Sequence, residues 1–404
     1  MRVLRNHVCM CILIAGIVEC GPNVFAQDGR VLSGIDILEA GQFAPLVGMK
    51  VGLITNHTGL DRNWFPTIDL LYHAKGVHLV ALFSPEHGIR GTEDRDVPSG
   101  VDSATGLPIY SLYGDTRRPA EQMLKGIDVL VFDMQDIGAR FYTYIGTMKI
   151  CMEEAAKHRL KFFVLDRPNP INGVQVEGPV LDSNHVFDLA GTFKIPIRHG
   201  MTVGELARMF NSEGSIGVDL EVIKMKGWKR SMWFDQTGLP WIPPSPMMRN
   251  LYEAVLYPGI GLLERTNVAN KKGLERPFEQ FGAPWISGTR LAEDLNSRDI
   301  PGVRFVPIRF TPTRDKYEGQ RCEGVAIYVI DRDALQTVTC GIEVLESLYK
   351  LYPDKFDVDK IWHVTRSREL IQQIKHQIPI KQITESWQAR LDEFKLIRER
   401  YLLY

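Results

Sequence analysis

The sequence has no cysteine framework. Of its six cysteines, Cys9, Cys11 and Cys20 sit in the first 26 residues, while Cys151, Cys322 and Cys340 are far apart. That spacing supports neither a disulfide scaffold nor a CxxC metal site, so all three later thiols are expected to be buried and structural. Long apolar runs are missing too: beyond residue 26 no stretch is apolar over the roughly 20 residues a membrane span needs. Neither sign of charge dominates, with 48 Lys and Arg against 49 Asp and Glu. Such a balance sets up no field for holding a polyanion and argues against nucleic acid as a partner. There is no GxGxxG after the first predicted strand, no GxxxxGK[ST], no GxSxG and no HExxH. Nicotinamide, nucleotide, classical serine-hydrolase and zincin chemistries therefore lack their usual phosphate cradles, nucleophile elbow and metal ligands.

What is present begins with an export signature. Arg2 and Arg5 precede an uncharged, mostly apolar run from Val8 to Val18, and Val24-Phe25-Ala26 follows. Residues 1–26 read as a cleaved signal peptide, because the apolar run is about half a membrane span and small residues stand where a signal peptidase cleaves. Glu19 directly before Cys20 argues against a lipoprotein. The protein is expected to be exported, periplasmic or extracellular, with no stable membrane anchor.

Short apolar runs at Lys50–Thr55, Val77–Phe83, Asp128–Asp133 and Lys161–Leu165 alternate with helix-like stretches at Trp64–Lys75, Pro119–Lys125 and Ile145–His158. Such alternation predicts βαβ units and a parallel sheet buried on both faces. A further helix is announced by the capping-box pattern Thr202-Val203-Gly204-Glu205. A Trp-, Pro- and Met-rich loop region runs from Trp228 to Met248, preceded by a strand at Asp219–Met225. The fold class is thus α/β: a Rossmann-like domain over residues 27–249, then a smaller α+β domain over 250–404. The second part is read as strands near Phe278–Ile286, Val303–Phe310 and Gly324–Ile330, and helices at Asp333–Leu351, Ser367–Lys375 and Glu385–Tyr401.

In open α/β sheets ligands bind beyond the carboxyl ends of the strands. Here the four runs lead into Asn56-His57, Pro85-Glu86-His87-Gly88, Asp133-Met134-Gln135-Asp136 and Asp166-Arg167-Pro168-Asn169. Glu86 follows an apolar strand in a glycine-bearing loop, where a raised pKa suits it to donate a proton; a helix cap or salt bridge is its plainer role. His87 is open between orienting Glu86, binding substrate and bonding a backbone carbonyl. Asp133, Gln135, Asp136, Arg140, Tyr142 and Tyr144 make one polar, aromatic cluster suited to a hydroxylated ligand, although Asp133 as a turn former paired with Arg140 is also possible. Asp166, Arg167 and Glu177 form another, in which Arg167 either clamps a carboxylate or ion-pairs to hold its loop. A metal site from His57, His87, Asp133 and Asp136 is an open alternative. Trp64, Trp241 and Trp285 are candidates for stacking on sugar, with domain-interface core as the commoner role.

These motifs in order carry a resemblance. Gly52-Leu53-Ile54-Thr55-Asn56-His57-Thr58-Gly59, Pro85-Glu86-His87-Gly88-Ile89-Arg90-Gly91, Tyr110-Ser111-Leu112-Tyr113-Gly114, Phe132-Asp133-Met134-Gln135-Asp136 through Tyr144, Leu165-Asp166-Arg167-Pro168-Asn169-Pro170 and His199-Gly200-Met201-Thr202 resemble the NamZ-type exo-β-N-acetylmuramidase family of peptidoglycan hydrolases. The resemblance implies a Rossmann-like domain, an auxiliary domain and a cleft between them. It also implies release of N-acetylmuramic acid from non-reducing ends of peptidoglycan fragments, with no cofactor or metal and with a muramyl saccharide or muropeptide as partner. Glu86 is the implied acid/base, with His87 beside it. Glycoside hydrolysis usually needs a second carboxyl group, for which Asp136, Asp133 and Glu177 are candidates. Asn56, His57, Asp133, Gln135, Arg140, Tyr142, Tyr144, Asp166, Arg167 and His199 are the expected substrate-binding residues, with Arg140 or Arg167 at the lactyl carboxylate.

The chain departs from the family pattern twice. Ser245-Pro246-Met247-Met248-Arg249 stands where Asn-Met-Pro usually follows Ser-Pro. Glu264-Arg265-Thr266-Asn267-Val268-Ala269-Asn270-Lys271-Lys272-Gly273-Leu274 stands where two of its positions, 265 and 271, are usually glycine. If that segment lines the cleft, a modified muramyl sugar or another amino sugar becomes an alternative substrate. A non-catalytic saccharide-binding homologue is the alternative to an enzyme.

Overall fold

The computed structural model describes residues 29–85, 88–89, 99–113, 117–182 and 189–404. The signal read at 1–26 and the Glu86-His87 pair lie outside these residues.

Seven strands build the first sheet: β1 (Lys50–Thr55), β2 (His78–Ser84), β3 (Gly100–Val101), β4 (Pro108–Ser111), β5 (Val129–Asp133), β6 (Lys161–Leu165) and β7 (Asp219–Ile223), in the order β3-β4-β2-β1-β5-β6-β7. All neighbours are parallel except β3, which runs antiparallel to β4. Successive strand residues point to opposite faces, and both faces are apolar. Leu53, Val131 and Phe163 enter one buried cluster, while Ile54, Leu130, Phe132 and Phe162 enter the other. That double burial explains why the strands read as continuous apolar runs rather than alternating ones.

The first cluster lies under α1 (Gly34–Ala40) and α2 (Thr67–His73). The second lies under α4 (Tyr144–His158) and α5 (Val203–Glu213), with the short α3 (Glu121–Leu124) between α2 and α4 in the chain. The expected capping box starts α5: the Thr202 hydroxyl accepts from Glu205 N at 3.2 Å, and the Glu205 carboxylate accepts from Thr202 N at 3.0 Å. Together these satisfy two of the orphan donors at a helix start.

The apolar cluster beneath α4 continues into the second part of the chain. There α6 (Leu251–Ile260), α7 (Gly288–Asn296) and α8 (Thr337–Leu351) accompany an antiparallel sheet of β8 (Gln280–Ala283), β9 (Val303–Phe310) and β10 (Cys322–Val329), with β10 central. Further helices at Trp362–Thr365, Arg368–Lys375, Ile380–Ser386 and Gln388–Glu399 complete the chain. Helices α6 and α8 cross at Gly259 and Gly341. A Cβ on Gly341 would stand 2.5 Å from the Gly259 carbonyl oxygen, so only glycine permits this approach.

Several elements differ from the sequence expectation, among them the unread helices α1, α7 and Trp362–Thr365. Strands β3 and β4 were not anticipated, because they are short, partly exposed and carry no apolar run. Helix α6 lay unread at the assumed boundary; Pro258 and Gly259 argue against a helix, yet ten residues form one behind the Asn250 cap. The single helix expected at Glu385–Tyr401 is two, divided at Trp387. Cys151, Cys322 and Cys340 are free and buried, as expected. No helix among the described residues is long and apolar enough to cross a membrane.

Candidate active site

The chain order places the topological switch at β1, flanked by β2 on one side and β5 on the other. The loops leaving β1, β5 and β6 converge at the carboxyl edge, where open α/β sheets bind ligands. They are stitched together by hydrogen bonds. Thr55 Oγ1 donates to the Asp133 carbonyl at 2.7 Å, Gln135 N donates to Thr58 Oγ1 at 3.0 Å, and Gln135 Nε2 donates to the Pro168 carbonyl at 2.8 Å. The Asn56 carbonyl oxygen of the side chain caps its own turn, accepting from Thr58 N and Oγ1.

Several members of the polar cluster read from the sequence bond one another or the surrounding backbone. Arg167 grips Asp133 through two nitrogens at 2.5 and 2.9 Å, and Thr67 donates to the same carboxylate at 2.5 Å. Asp133 is 0% exposed, so this pair locks the β5 and β6 loops from within. Arg140 is not the partner of Asp133. It too is 0% exposed, donating to the carbonyls of Pro179, Ile195 and Thr365 and thereby fastening the two parts of the chain. A guanidinium has five donors in a fixed fork, which suits it to collect carbonyls from separate loops.

Asp166 accepts from Gly204 N, Thr202 Oγ1 and Tyr404 OH at 2.7–2.8 Å. Burial pushes its carboxyl up to about 7 against the lowering by these bonds. Glu177 is held by Arg198 Nη1 at 2.8 Å and by Val338 N at 3.0 Å, at the start of α8. His57 Nε2 donates to the Pro243 carbonyl at 2.6 Å, and Tyr144 OH to the Pro244 carbonyl at 2.5 Å. The loop that carries these prolines thus lies over the strand edge. In front of Gln135 and Arg167 it leaves a crevice of only about 30 Å³, closed by Phe234, Leu239 and Pro240. That space holds a water or two and no sugar ring.

Asp136 and His199 form a different pair. Gly138 N donates to Asp136 Oδ2 at 2.7 Å, and His199 Nε2 stands 3.6 Å from the same oxygen. Met201 N donates to His199 Nδ1 at 3.2 Å, which leaves the ring's proton on Nε2 when neutral. Asp136 Oδ1, His199 Nε2 and Asn56 Nδ2 are buried with no hydrogen-bond partner among the described residues. Buried polar atoms left so are uncommon, and they gather at sites of binding or chemistry.

The open cavity lies beside this edge, between the two parts of the chain, with a volume of about 290 Å³. Its floor is aromatic: Tyr142 and Tyr144 stand edge to face at 4.8 Å between centroids, Phe141 packs on Tyr257 at 5.0 Å, and Tyr257 on Phe278 at 4.8 Å. Burial raises the Tyr142 phenol well above its ordinary pKa, so it is a neutral hydroxyl. The opposite wall is formed by Glu264, Arg265, Lys271 and Lys272, with His363 at the rim. The segment that departs from the family pattern therefore lines the cleft.

Tyr257, Phe278, Arg265, Lys271, Lys272 and His363 were not singled out as site residues from the sequence. Only the departure at 264–274 signalled some of them. Of the tryptophans, Trp241 donates to the Met248 carbonyl at 3.1 Å, Trp285 donates to Tyr317 OH at 3.0 Å, and Trp64 is exposed; none lines this cavity. The aromatic lining of the cavity comes from tyrosines and phenylalanines instead. Among the described residues no three His, Cys, Asp or Glu side chains converge as metal ligands, and both oxygens of Asp133 are already taken by Arg167.

A parallel α/β sheet with polar loops at its switch point, joined to an auxiliary domain across an aromatic cleft, defines an α/β protein built to bind a small polar ligand with an apolar face. Comparison with known proteins makes this specific. The N-terminal domain of the exo-beta-N-acetylmuramidase NamZ family matches residues 51–252 and the C-terminal domain matches residues 255–404, so the chain belongs to that family. It is 43% identical over 394 residues to the peptidoglycan beta-N-acetylmuramidase NamZ of Bacillus subtilis, covering 95% of this chain and 93% of that protein. A crystal structure of a DUF1343 family protein from Bacteroides fragilis superposes with a TM-score of 0.87 at 40% identity, covering 93% of this chain and 99% of that one. A second from the same organism gives 0.74 at 30% identity over the same shares.

Proposed function

We propose that this protein is an exo-acting glycoside hydrolase that releases N-acetylmuramic acid from the non-reducing ends of peptidoglycan fragments. The observation that carries the reading is the aromatic-floored cavity at the carboxyl edge of the sheet, in a chain of the NamZ family that covers its Bacillus subtilis relative almost end to end. Tyrosine rings offer an apolar platform with a polar tip, which matches a pyranose ring with its hydroxyl edge. A cavity that accepts one residue and is closed by a second domain suits removal of terminal sugars.

In this reading Glu86 donates a proton to the leaving glycosidic oxygen while water adds to the anomeric carbon, and His87 orients it. Of the carboxyl groups considered as its partner, Asp133 is consumed by Arg167 and Thr67, and Glu177 by Arg198 and the α8 backbone. Asp136 alone of the three keeps an oxygen without a partner among the described residues, which favours it as the second group. The apolar N-terminal run supports export to the compartment where peptidoglycan is found.

A chromogenic β-N-acetylmuramide tests the proposal. Wild-type protein is expected to hydrolyse it, and Glu86→Gln to abolish turnover with the far-UV and thermal profiles unchanged. Undiminished turnover in Glu86→Gln would remove Glu86 from the mechanism, and a protein that binds the sugar without cleaving it is the non-catalytic alternative.

A further inference from the structure

Two aromatic rings stand in solvent where the fold gains nothing from them. Trp64 and Phe65 are each 58% exposed, the most exposed aromatic side chains among the described residues, and neither belongs to the apolar clusters under the sheet. Scattered single apolar side chains are ordinary on a surface, whereas neighbouring ones rimmed by polar groups mark a contact. The backbone adds to the anomaly. Trp64 has a φ of 73°, in the left-handed region that glycine favours and a bulky L-residue rarely adopts. A glycine there would relieve the backbone and remove an exposed indole, so folding does not account for the tryptophan.

The turn that carries the rings is held rigidly. Asp61 is 3% exposed and accepts at Oδ1 from Asn63 N at 2.9 Å and from Phe65 N at 2.7 Å. Asp61 N donates to the Phe65 carbonyl at 3.0 Å, and Trp64 N to the Asp61 carbonyl at 3.1 Å. Arg62 N donates to Asp36 Oδ1 at 2.8 Å, tying the turn to α1. A backbone fixed in advance has little freedom left to lose on binding. The turn belongs to the loop that leaves β1 at the carboxyl edge, where Thr58, Leu60 and Asp61 meet Gln135 and Arg167 around the small crevice. Trp64 and Phe65 do not line the cavity of about 290 Å³.

Charge and hydrogen bonding select the occupant. From Asn56 to Asp69 the segment carries Arg62 against Asp61 and Asp69. An anionic lipid surface attracts clusters of Lys and Arg, and this segment has no such cluster. An indole offers an apolar face to the apolar face of an uncharged pyranose. Beside it, Asn63 Nδ2 donates to Asp61 Oδ2 at 3.3 Å, which leaves the amide oxygen to accept from a hydroxyl or an acetamido N–H. We propose that Trp64 and Phe65 form a surface platform, outside the cavity, that holds uncharged N-acetylhexosamine units of a glycan strand. The inference rests on the reading of this protein as one that acts on peptidoglycan. A platform of this kind keeps the protein on an insoluble wall while the cavity takes one terminal sugar, and so raises the local concentration of chain ends.

The experiment uses the full chain and beads of insoluble chitin, a polymer of β-linked N-acetylglucosamine. The wild-type protein is expected to be retained, and Trp64→Gly/Phe65→Ser to lose about fivefold or more of that retention, while Trp64→Tyr, which keeps a ring, retains most of it. Turnover of a chromogenic β-N-acetylmuramide should be the same in all three, whereas release of sugar from insoluble peptidoglycan should fall in the double variant alongside its binding. Trp64→Gly should unfold at no lower temperature than the wild type, because glycine accepts the backbone conformation. Wild-type protein that passes through the beads, or equal retention of the double variant, would overturn the proposal. So would binding to phosphatidylglycerol vesicles that the double variant loses while its retention by chitin persists, which would make the rings a membrane contact. A markedly lower Tm in Trp64→Gly would make them structural instead. If the wild type cleaves no glycoside, the muramidase reading fails, and retention by the beads still decides the inference.

Discussion

Replacing Arg167 separates scaffold from ligand clamp at the strand edge. The Asp133 carboxylate is fully buried and depends on two Arg167 nitrogens and the Thr67 hydroxyl. Arg167→Met leaves a buried carboxylate with one partner. Removing one member of a buried pair typically costs about 3–5 kcal/mol, most of it the uncompensated charge. For a domain of this size such a loss corresponds to a fall in Tm of roughly 6–20 °C. Arg167→Met should therefore unfold earlier in a thermal scan and at lower urea concentration. Asp133→Asn/Arg167→Met should recover part of the loss, because the double variant has no buried charge to strand. The opposite outcome, wild-type unfolding with a selective loss of sugar affinity, would refute the scaffold assignment and return Arg167 to the ligand.

Other consequences follow from the same packing. Asp166 has its folded-state pKa raised to about 7 by burial, well above the roughly 3.9 of an unfolded aspartate. Its contribution is present in full below that unfolded value and is lost as pH rises through about 7; urea titrations at pH 4.5 and pH 8 should show this loss in the wild type and a flatter profile in Asp166→Asn. Gly341→Ala forces a methyl group against the Gly259 carbonyl and should destabilise the protein by about 1–3 kcal/mol, read from the urea midpoint. Tyr142→Ala removes part of the aromatic floor and should lower kcat/KM on muramyl substrates about tenfold or more, while Tyr142→Phe, which keeps the ring, should lose less.

The positions of the strands were legible because both faces of the sheet are buried, so β1 and β6 appear as bounded apolar runs. Their polar ends marked the carboxyl edge, where open α/β sheets bind ligands, since all strands but β3 run parallel. The jobs of individual residues were not legible. Arg140, Arg167 and Asp133 have the composition of a binding site, yet their partners lie far away in sequence: Thr365 for Arg140, and residues 34 apart for the Asp133–Arg167 pair. Nothing local distinguishes a buried arginine that collects carbonyls from one that clamps a substrate. Helix α6 escaped for another reason. Its Pro258 and Gly259 are poor helix formers, and tertiary packing against α8 overrides that preference. The cationic wall comes from a loop of the second domain, where periodicity carries no information, and only its departure from a family pattern drew notice.

The most direct test of the central claim is digestion of a defined glycan chain that begins with N-acetylmuramic acid at its non-reducing end, with the products identified by mass. The account predicts stepwise behaviour: free N-acetylmuramic acid appears from the start, the remaining chain begins with N-acetylglucosamine, and Glu86→Gln yields neither product. Internal fragments, or an intact chain under conditions where the folded protein binds it, would contradict the account.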